Sequence, residues 1–313
     1  MVPESEGSDF DELVSRITVA ANEELMGQIA ARAILEDVED AIRKGGRAVM
    51  LFASAPSQHS TWKAMIDIAK RGAADVDAGK IIAFHMDEYL GLEPDAPQLF
   101  GKVLRKMLFE PLGIKAENVR YFDDRLAYGT AVLLRKAIAA AEPESLVDEL
   151  SRKLEREAEK HLEEIAAAFE NAGGVFDAVV GGIGKHPHLA FNDAPDARFD
   201  DPKVVKVVRL SEVSRQQQVD DGEFKRLEDV PTHALTFTLP PIFNARKIHI
   251  IVPKAFKASA VKQTLDGHVS EEAPASGLRQ PHVLPKVKFY LDKDSARLSK
   301  VAQEAIKRKG LVR

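Results

Sequence analysis

A series of short apolar runs, at 48–53, 80–86, 176–182, 204–208, 233–239, 248–252 and 287–291, constrains this chain more than any other feature. Runs of this length with little polar alternation fit strands buried on both faces of a parallel sheet. A further short strand is expected at 16–19. Between the runs the spacing turns helical, over 20–43, 62–71, 100–108 and 256–265, the first of these closed by Gly45 and Gly46 in the manner of a glycine C-cap. Strands alternating with helices predict an α/β fold, a doubly wound and mostly parallel sheet of Rossmann-like type flanked by helices. In such sheets ligands bind beyond the carboxyl ends of the strands.

The stretch 127–170 departs from this rhythm. It is rich in Ala, Leu, Glu, Lys and Arg and is broken by Pro143, so it reads as an inserted helical hairpin joined near 142–145. Opposite charges at helical spacing in its second half suit a solvated amphipathic face. Residues 1–9 read as a flexible tail, and 10–313 as a single α/β domain.

The chain has no cysteine, which excludes disulfides, thiolate catalysis and cysteine-based zinc sites. Its net charge of −5 disfavours nucleic acid as a partner and asks a small anionic substrate to find a local cationic pocket. No run approaches the roughly 20 apolar residues of a membrane helix, and the acidic start lacks the pattern of a signal peptide. A cytoplasmic protein with no membrane partner is expected, with a homo-oligomer left open.

Four polar clusters follow the apolar runs, where the site of an α/β protein belongs. The first, Ala53-Ser54-Ala55-Pro56-Ser57-Gln58-His59-Ser60, is a turn that can offer backbone N–H groups to an anion at a helix N-terminus, or simply cap the helix. The second is His85-Met86-Asp87-Glu88-Tyr89-Leu90-Gly91-Leu92. A carboxylate leaving a buried strand end is partly desolvated, which suits Asp87 to proton transfer; capping a helix is its alternative role. The third runs from Gly181-Gly182-Ile183-Gly184 through Lys185, His186, Pro187 and His188 to Asp193. His186 and His188 supply only half a metal site, and the glycines do not complete a dinucleotide fingerprint. His188 near Asp193 suits acid–base work better. The fourth is Lys257, placed to neutralise a phosphate or simply solvated at the surface. No cofactor and no metal is expected.

Taken together, the clusters resemble the glucosamine-6-phosphate deaminase/isomerase family, within the larger group that includes 6-phosphogluconolactonases. Met86-Asp87-Glu88-Tyr89 is similar to the family's Met-Asp-Glu-Tyr segment, and His188-Leu189-Ala190-Phe191-Asn192-Asp193 to its His-Ile-Ala-Phe-Asn-Glu segment. Ser54 to Gln58, Ser214 to Val219 and Asp229 to Thr236 resemble one bacterial branch, and the order is kept over about 17–294. The resemblance implies conversion of glucosamine 6-phosphate, or an epimer, to fructose 6-phosphate and ammonia. It implies that Asp87 moves the proton between C2 and the C1 oxygen, and that His188, supported by Asp193, assists ring opening. Ser54, Ala55, Ser57, Gln58 and Lys257 would hold the phosphate, with Arg215 the nearest counterpart of the family's phosphate-contacting arginine.

The departures are local. His186-Pro187 stands where the family has Asp-Gly or Asn-Gly, so His186 is a candidate for the missing polar role. Asp193 stands for Glu and Ala194 for Pro, and Ser54 to Ser57 replace a Thr-Gly-Gly loop. Two other readings therefore stay open: a related sugar-phosphate isomerase or lactonase with altered substrate, and a catalytically weakened sugar-phosphate-binding protein.

Overall fold

The computed structural model describes residues 4–220 and 222–313. Helix α1 (Glu4–Ser15) and strand β1 (Ile17–Ala20) lead into α2 (Glu23–Gly45), β2 (Ala48–Phe52), α3 (His59–Lys70), β3 (Ile81–His85) and β4 (Asp87–Leu90). Helix α4 (Phe100–Leu104) runs through a π-helical turn into α5 (Glu110–Leu112), followed by β5 (Val119–Arg120), α6 (Tyr128–Ala139) and α7 (Glu144–Asn171). Then come β6 (Ala178–Gly181), β7 (Val205–Arg209), α8 (Glu212–Asp220), β8 (His233–Phe237) and α9 (Leu239–Phe243). The chain ends with β9 (Ile248–Val252), α10 (Ala258–Asp266), β10 (Val287–Asp292) and α11 (Lys300–Lys309).

Seven strands form one parallel sheet in the order β1-β10-β9-β6-β2-β3-β5. Successive side chains of a strand face opposite ways. Accordingly Val49 and Leu51 enter one core cluster, with Phe289 and Ile250, while Met50 and Phe52 enter another, with Trp62 and the buried face of α2. Two packed faces explain why these runs carry no polar alternation. Helix α2 follows its sequence signals closely: Asn22 accepts the N–H of Leu25 at its start, and Gly46 closes its end at φ 76°, its N–H donated to Ile42.

The structure corrects two expectations and extends a third. The tail expected over 1–9 is partly helical: α1 begins at Glu4, and residues 1–3 lie outside the described residues. The runs at 204–208 and 233–239 do not join the parallel sheet. With β4 they make a separate antiparallel sheet, in the order β4-β8-β7. The hairpin at 127–170 is present as α6 and α7, with exposed i,i+4 pairs such as Lys153–Glu157. Helix α7 is nonetheless a packed layer, because Leu154, Ala158, Ile165 and Phe169 are buried in the main core.

Among the described residues no helix is long and apolar enough to cross a membrane. The two sheets meet on an aromatic cluster in which Phe237 contacts Phe84, Phe122, Phe169 and Phe176, with ring centroids 5.5–6.2 Å apart. Phe237 is fully buried, so Phe237→Ala removes both ring contacts and buried area. A loss of about 3–5 kcal/mol of stability is expected in urea denaturation.

Candidate active site

Strand β3 ends where the parallel sheet ends, and the chain crosses to the second sheet through one residue. Met86 donates its N–H to Phe52 in β2 (3.0 Å), and its carbonyl accepts the N–H of Phe237 in β8 (3.0 Å). Asp87 is the next residue, so its carboxyl emerges at the junction with only 6% of its surface exposed. Oδ1 of Asp87 has no hydrogen-bond partner among the described residues. Burial pushes this carboxyl well above the usual carboxylate range, and the neighbouring Glu88 raises it further.

Glu88 faces the other way. Its carboxylate accepts the N–H groups of Tyr89 (2.9 Å), Phe100 (3.1 Å) and Gly101 (2.9 Å), which ties the start of α4 to β4. Burial raises it to about 7 against the pull of those donors. Beneath it His85 is fully buried, with Nε2 3.6 Å from Glu88 Oε2, and burial holds the imidazole down at about 3. Of the two adjacent acids, Glu88 is an anchor, and Asp87 is the one whose Oδ1 no donor among the described residues engages.

The same strand, β8, carries the His188 loop. Thr236 pairs with Asp87 across the second sheet and accepts the N–H of Phe191 (3.2 Å). The Asn192 amide donates to the carbonyls of Leu189 (3.0 Å) and Phe237 (2.8 Å). Ala190 adopts a left-handed φ of 51°, and its carbonyl accepts Nδ1–H of His188 at 2.5 Å. A carbonyl only accepts, so Nδ1 carries the proton and Nε2 keeps its lone pair. A Cβ on Gly184 would lie 1.9 Å from Nε2, so any side chain there would displace the ring.

The imidazole is therefore oriented by a backbone carbonyl rather than by Asp193. That carboxylate instead accepts hydrogen bonds from Ser211 (2.6 Å) and Ser214 (2.8 Å) and acts on His188 by its charge. Burial tends to raise Asp193, but His188 and the two hydroxyls outweigh it and hold it below the ordinary value. His188 lies below its ordinary 6.5 because burial exceeds the support of Asp193. His186 is exposed beside them.

The turn after β2 lies alongside. Gln58 is fully buried, and its amide donates to Ser57 Oγ (3.1 Å) and to the Ile251 carbonyl (3.3 Å), which links the turn to the end of β9. A side chain on Gly182 would press on both Gln58 and Ile251, each 3.0 Å from its Cβ. Ser54 is buried and Ala55 and Ser57 half-buried around the same strand ends. Lys257 is buried at the start of α10, close enough for its charge to lower His188. Arg215 is engaged elsewhere: its Nη2 donates to the carbonyls of Leu227 (2.7 Å) and Val230 (3.1 Å).

Thr236, Asn192, Ser211 and Ser214 were not singled out as site residues by sequence reasoning. Each acts across the fold, at a separation of 18 residues or more in the contacts just described to Asp193, Phe191 and Phe237. Lys254 was also missed. It holds φ 78° and ψ 143°, a backbone conformation suited to glycine that costs another residue about 1–3 kcal/mol.

Residues 21–286 match the family described as glucosamine-6-phosphate isomerases/6-phosphogluconolactonase. This chain belongs to that family. It is 30% identical over 283 residues to the glucosamine-6-phosphate deaminase of Thermoanaerobacter pseudethanolicus, an alignment covering 90% of this chain and 94% of that protein. Its fold is similar to that of a monomeric glucosamine-6-phosphate deaminase, with TM-score 0.67 and 23% identity over 90% of this chain and 99% of the other. It is also similar to that of the 6-phosphogluconolactonase of Leishmania guyanensis, with TM-score 0.64 and 17% identity over 90% and 97% of the two chains.

The surroundings of His188 set its titration. Its folded value lies below the ordinary 6.5, so the stability gained by burying it neutral is present above pH 6.5 and is lost as pH falls through that value toward the folded one. An NMR titration of His188 should show a midpoint below 6.5, and Asp193→Asn should move it further down. An upward move would contradict the charge coupling.

Proposed function

We propose that the enzyme converts glucosamine 6-phosphate to fructose 6-phosphate and ammonia. The reading is supported above all by one observation: an almost fully buried Asp87 carboxyl at the junction of the two sheets, carried on the same strand pair as the His188 loop. A carboxyl raised by burial is a better match to a carbon acid than a solvated one. In this reading the Nε2 lone pair of neutral His188 takes the proton of the C1 hydroxyl, the proton returns to the ring oxygen, and the pyranose opens. Asp87 then removes the proton from C2 and the C1 oxygen is protonated, giving an enolamine. Tautomerisation places a proton on C1 and leaves an imine at C2, which water hydrolyses with loss of ammonia.

Lys257 and the turn from Ser54 to Gln58 hold the phosphate, and the binding energy of that remote group orients C1 and C2. Asp193 keeps a negative charge near His188 and so supports the imidazolium formed during ring opening. Arg215 receives no phosphate role, because its guanidinium already serves the carbonyls of Leu227 and Val230.

The test measures ammonia and fructose 6-phosphate released from glucosamine 6-phosphate, with 6-phosphogluconolactone assayed in parallel. Equimolar products are expected, and Asp87→Asn should lower kcat by about 10²–10⁴-fold. Turnover within twofold of wild type in Asp87→Asn would sink the mechanism. Hydrolysis of the lactone alone would replace the deaminase reading with a lactonase one.

A further inference from the structure

The segment that follows β9 carries two lysines with different surroundings. Lys257 is buried, and its charge bears on His188. Lys254 lies three residues earlier, with its backbone pinned on both sides: its N–H donates to Asp292 Oδ2 (2.9 Å), and its carbonyl accepts the N–H of Lys257 (3.1 Å). Its ammonium turns toward the other end of the site. It lies 3.7 Å from Glu23 Oε2, and its charge acts on His59, the first residue of α3 and the neighbour of Gln58 in the turn after β2.

This lysine keeps a backbone conformation that glycine would adopt without strain. Nothing it does inside the protein accounts for that. The hydrogen bonds of its backbone are equally open to glycine. Its ion pair with Glu23 joins side chains that are 46% and 31% exposed, a geometry that contributes little to stability. The feature that glycine cannot reproduce is the ammonium. It adds a cation three residues before the buried Lys257, in a chain of net charge −5.

We infer that Lys254 is a second cationic contact for the substrate phosphate, acting from the His59 side of the 53–60 turn while Lys257 acts from the His188 side. The inference rests on the sugar-phosphate reading above. The half-exposed ammonium leaves Glu23 for the dianion, and the strain at Lys254 fixes the origin of its side chain beside the turn.

Three variants separate charge from strain. Lys254→Gly removes both, Lys254→Met removes the charge and keeps the strain, and Lys254→Arg keeps both. Lys254→Gly should raise Tm by roughly 2–5 °C. It should also raise KM for glucosamine 6-phosphate by roughly 10–100-fold, far more than it lowers kcat, as expected when a charged hydrogen bond is lost. Lys254→Met should raise KM equally with no gain in Tm, and Lys254→Arg should stay near the wild-type KM. Calorimetric titration with inorganic phosphate gives a readout independent of turnover. Weaker phosphate binding in Lys254→Gly and Lys254→Met supports the inference even if glucosamine 6-phosphate is not turned over. A Lys254→Gly enzyme that is more stable yet keeps the wild-type KM and phosphate affinity overturns it and leaves the deaminase reading intact.

Discussion

The transfer of the chain at Met86 is the constraint on which the site depends. One residue gives its N–H to the parallel sheet and its carbonyl to the antiparallel one. A strand that had simply ended would have delivered Asp87 to a solvated loop. Instead the backbone stays hydrogen-bonded on both sides of the crossing, and Asp87 is buried with it. Strand β8 then sets the other half of the site by position, because the residue paired with Asp87, Thr236, also holds Phe191 of the His188 loop. The strand of Asp87 and the loop of His188 are therefore both fastened to the same residue of β8.

Burial at this junction acts differently on neighbouring groups. His85 and Glu88 lie side by side with no exposed surface to speak of, and each is driven toward its neutral form. Three backbone donors compensate Glu88, which makes it a structural clamp on α4. Asp87 has no comparable set of donors at Oδ1 among the described residues, so burial acts on its charged form without that compensation. Asp193 is the reverse case, a carboxylate kept charged by two serine hydroxyls and a nearby imidazole. Asp87, raised by burial, and Asp193, held below its ordinary value, thus sit in opposed environments, the kind of arrangement that separate acid–base roles require.

Much of this was legible in the sequence, and the limits follow from what periodicity can carry. The unbroken apolar runs at β2, β3, β6, β9 and β10 reported strands buried on two faces, and the polar clusters after them marked the site. The run at 204–208 looked similar, yet Lys206 within it reaches Asp201 and the Asp196 carbonyl at the flank of a sheet that is not part of the parallel one. Sheet membership is a long-range property, and a five-residue pattern does not encode it. Strand β4 was hidden because Asp87 and Glu88 read as loop residues, although both are buried in the fold. The orienting partner of His188 was beyond reach for another reason: it is the carbonyl of Ala190, which no side-chain pattern records.

The His186-Pro187 pair, the most conspicuous departure from the family pattern, has a physical account in the turn it occupies. The N–H of His188 donates to the carbonyl of His186 (2.6 Å), a bond that spans a single residue, Pro187. A turn of this kind favours a central φ near −75° in its common form, close to the value that the proline ring imposes. A flexible glycine is therefore not required at this point. The rest of the loop is fastened around the same turn. Gly184 donates to the His188 carbonyl (3.2 Å), Ala275 donates to the Pro187 carbonyl (2.6 Å), and Gln217 accepts the N–H of Lys185 (2.8 Å). Proline removes a backbone donor and stiffens the approach to the imidazole, while Ala190 and Gly184 fix the ring itself. The substitution thus alters the polar group offered beside His188 without loosening the histidine, and what this pair changes at the site enters through the exposed His186 side chain.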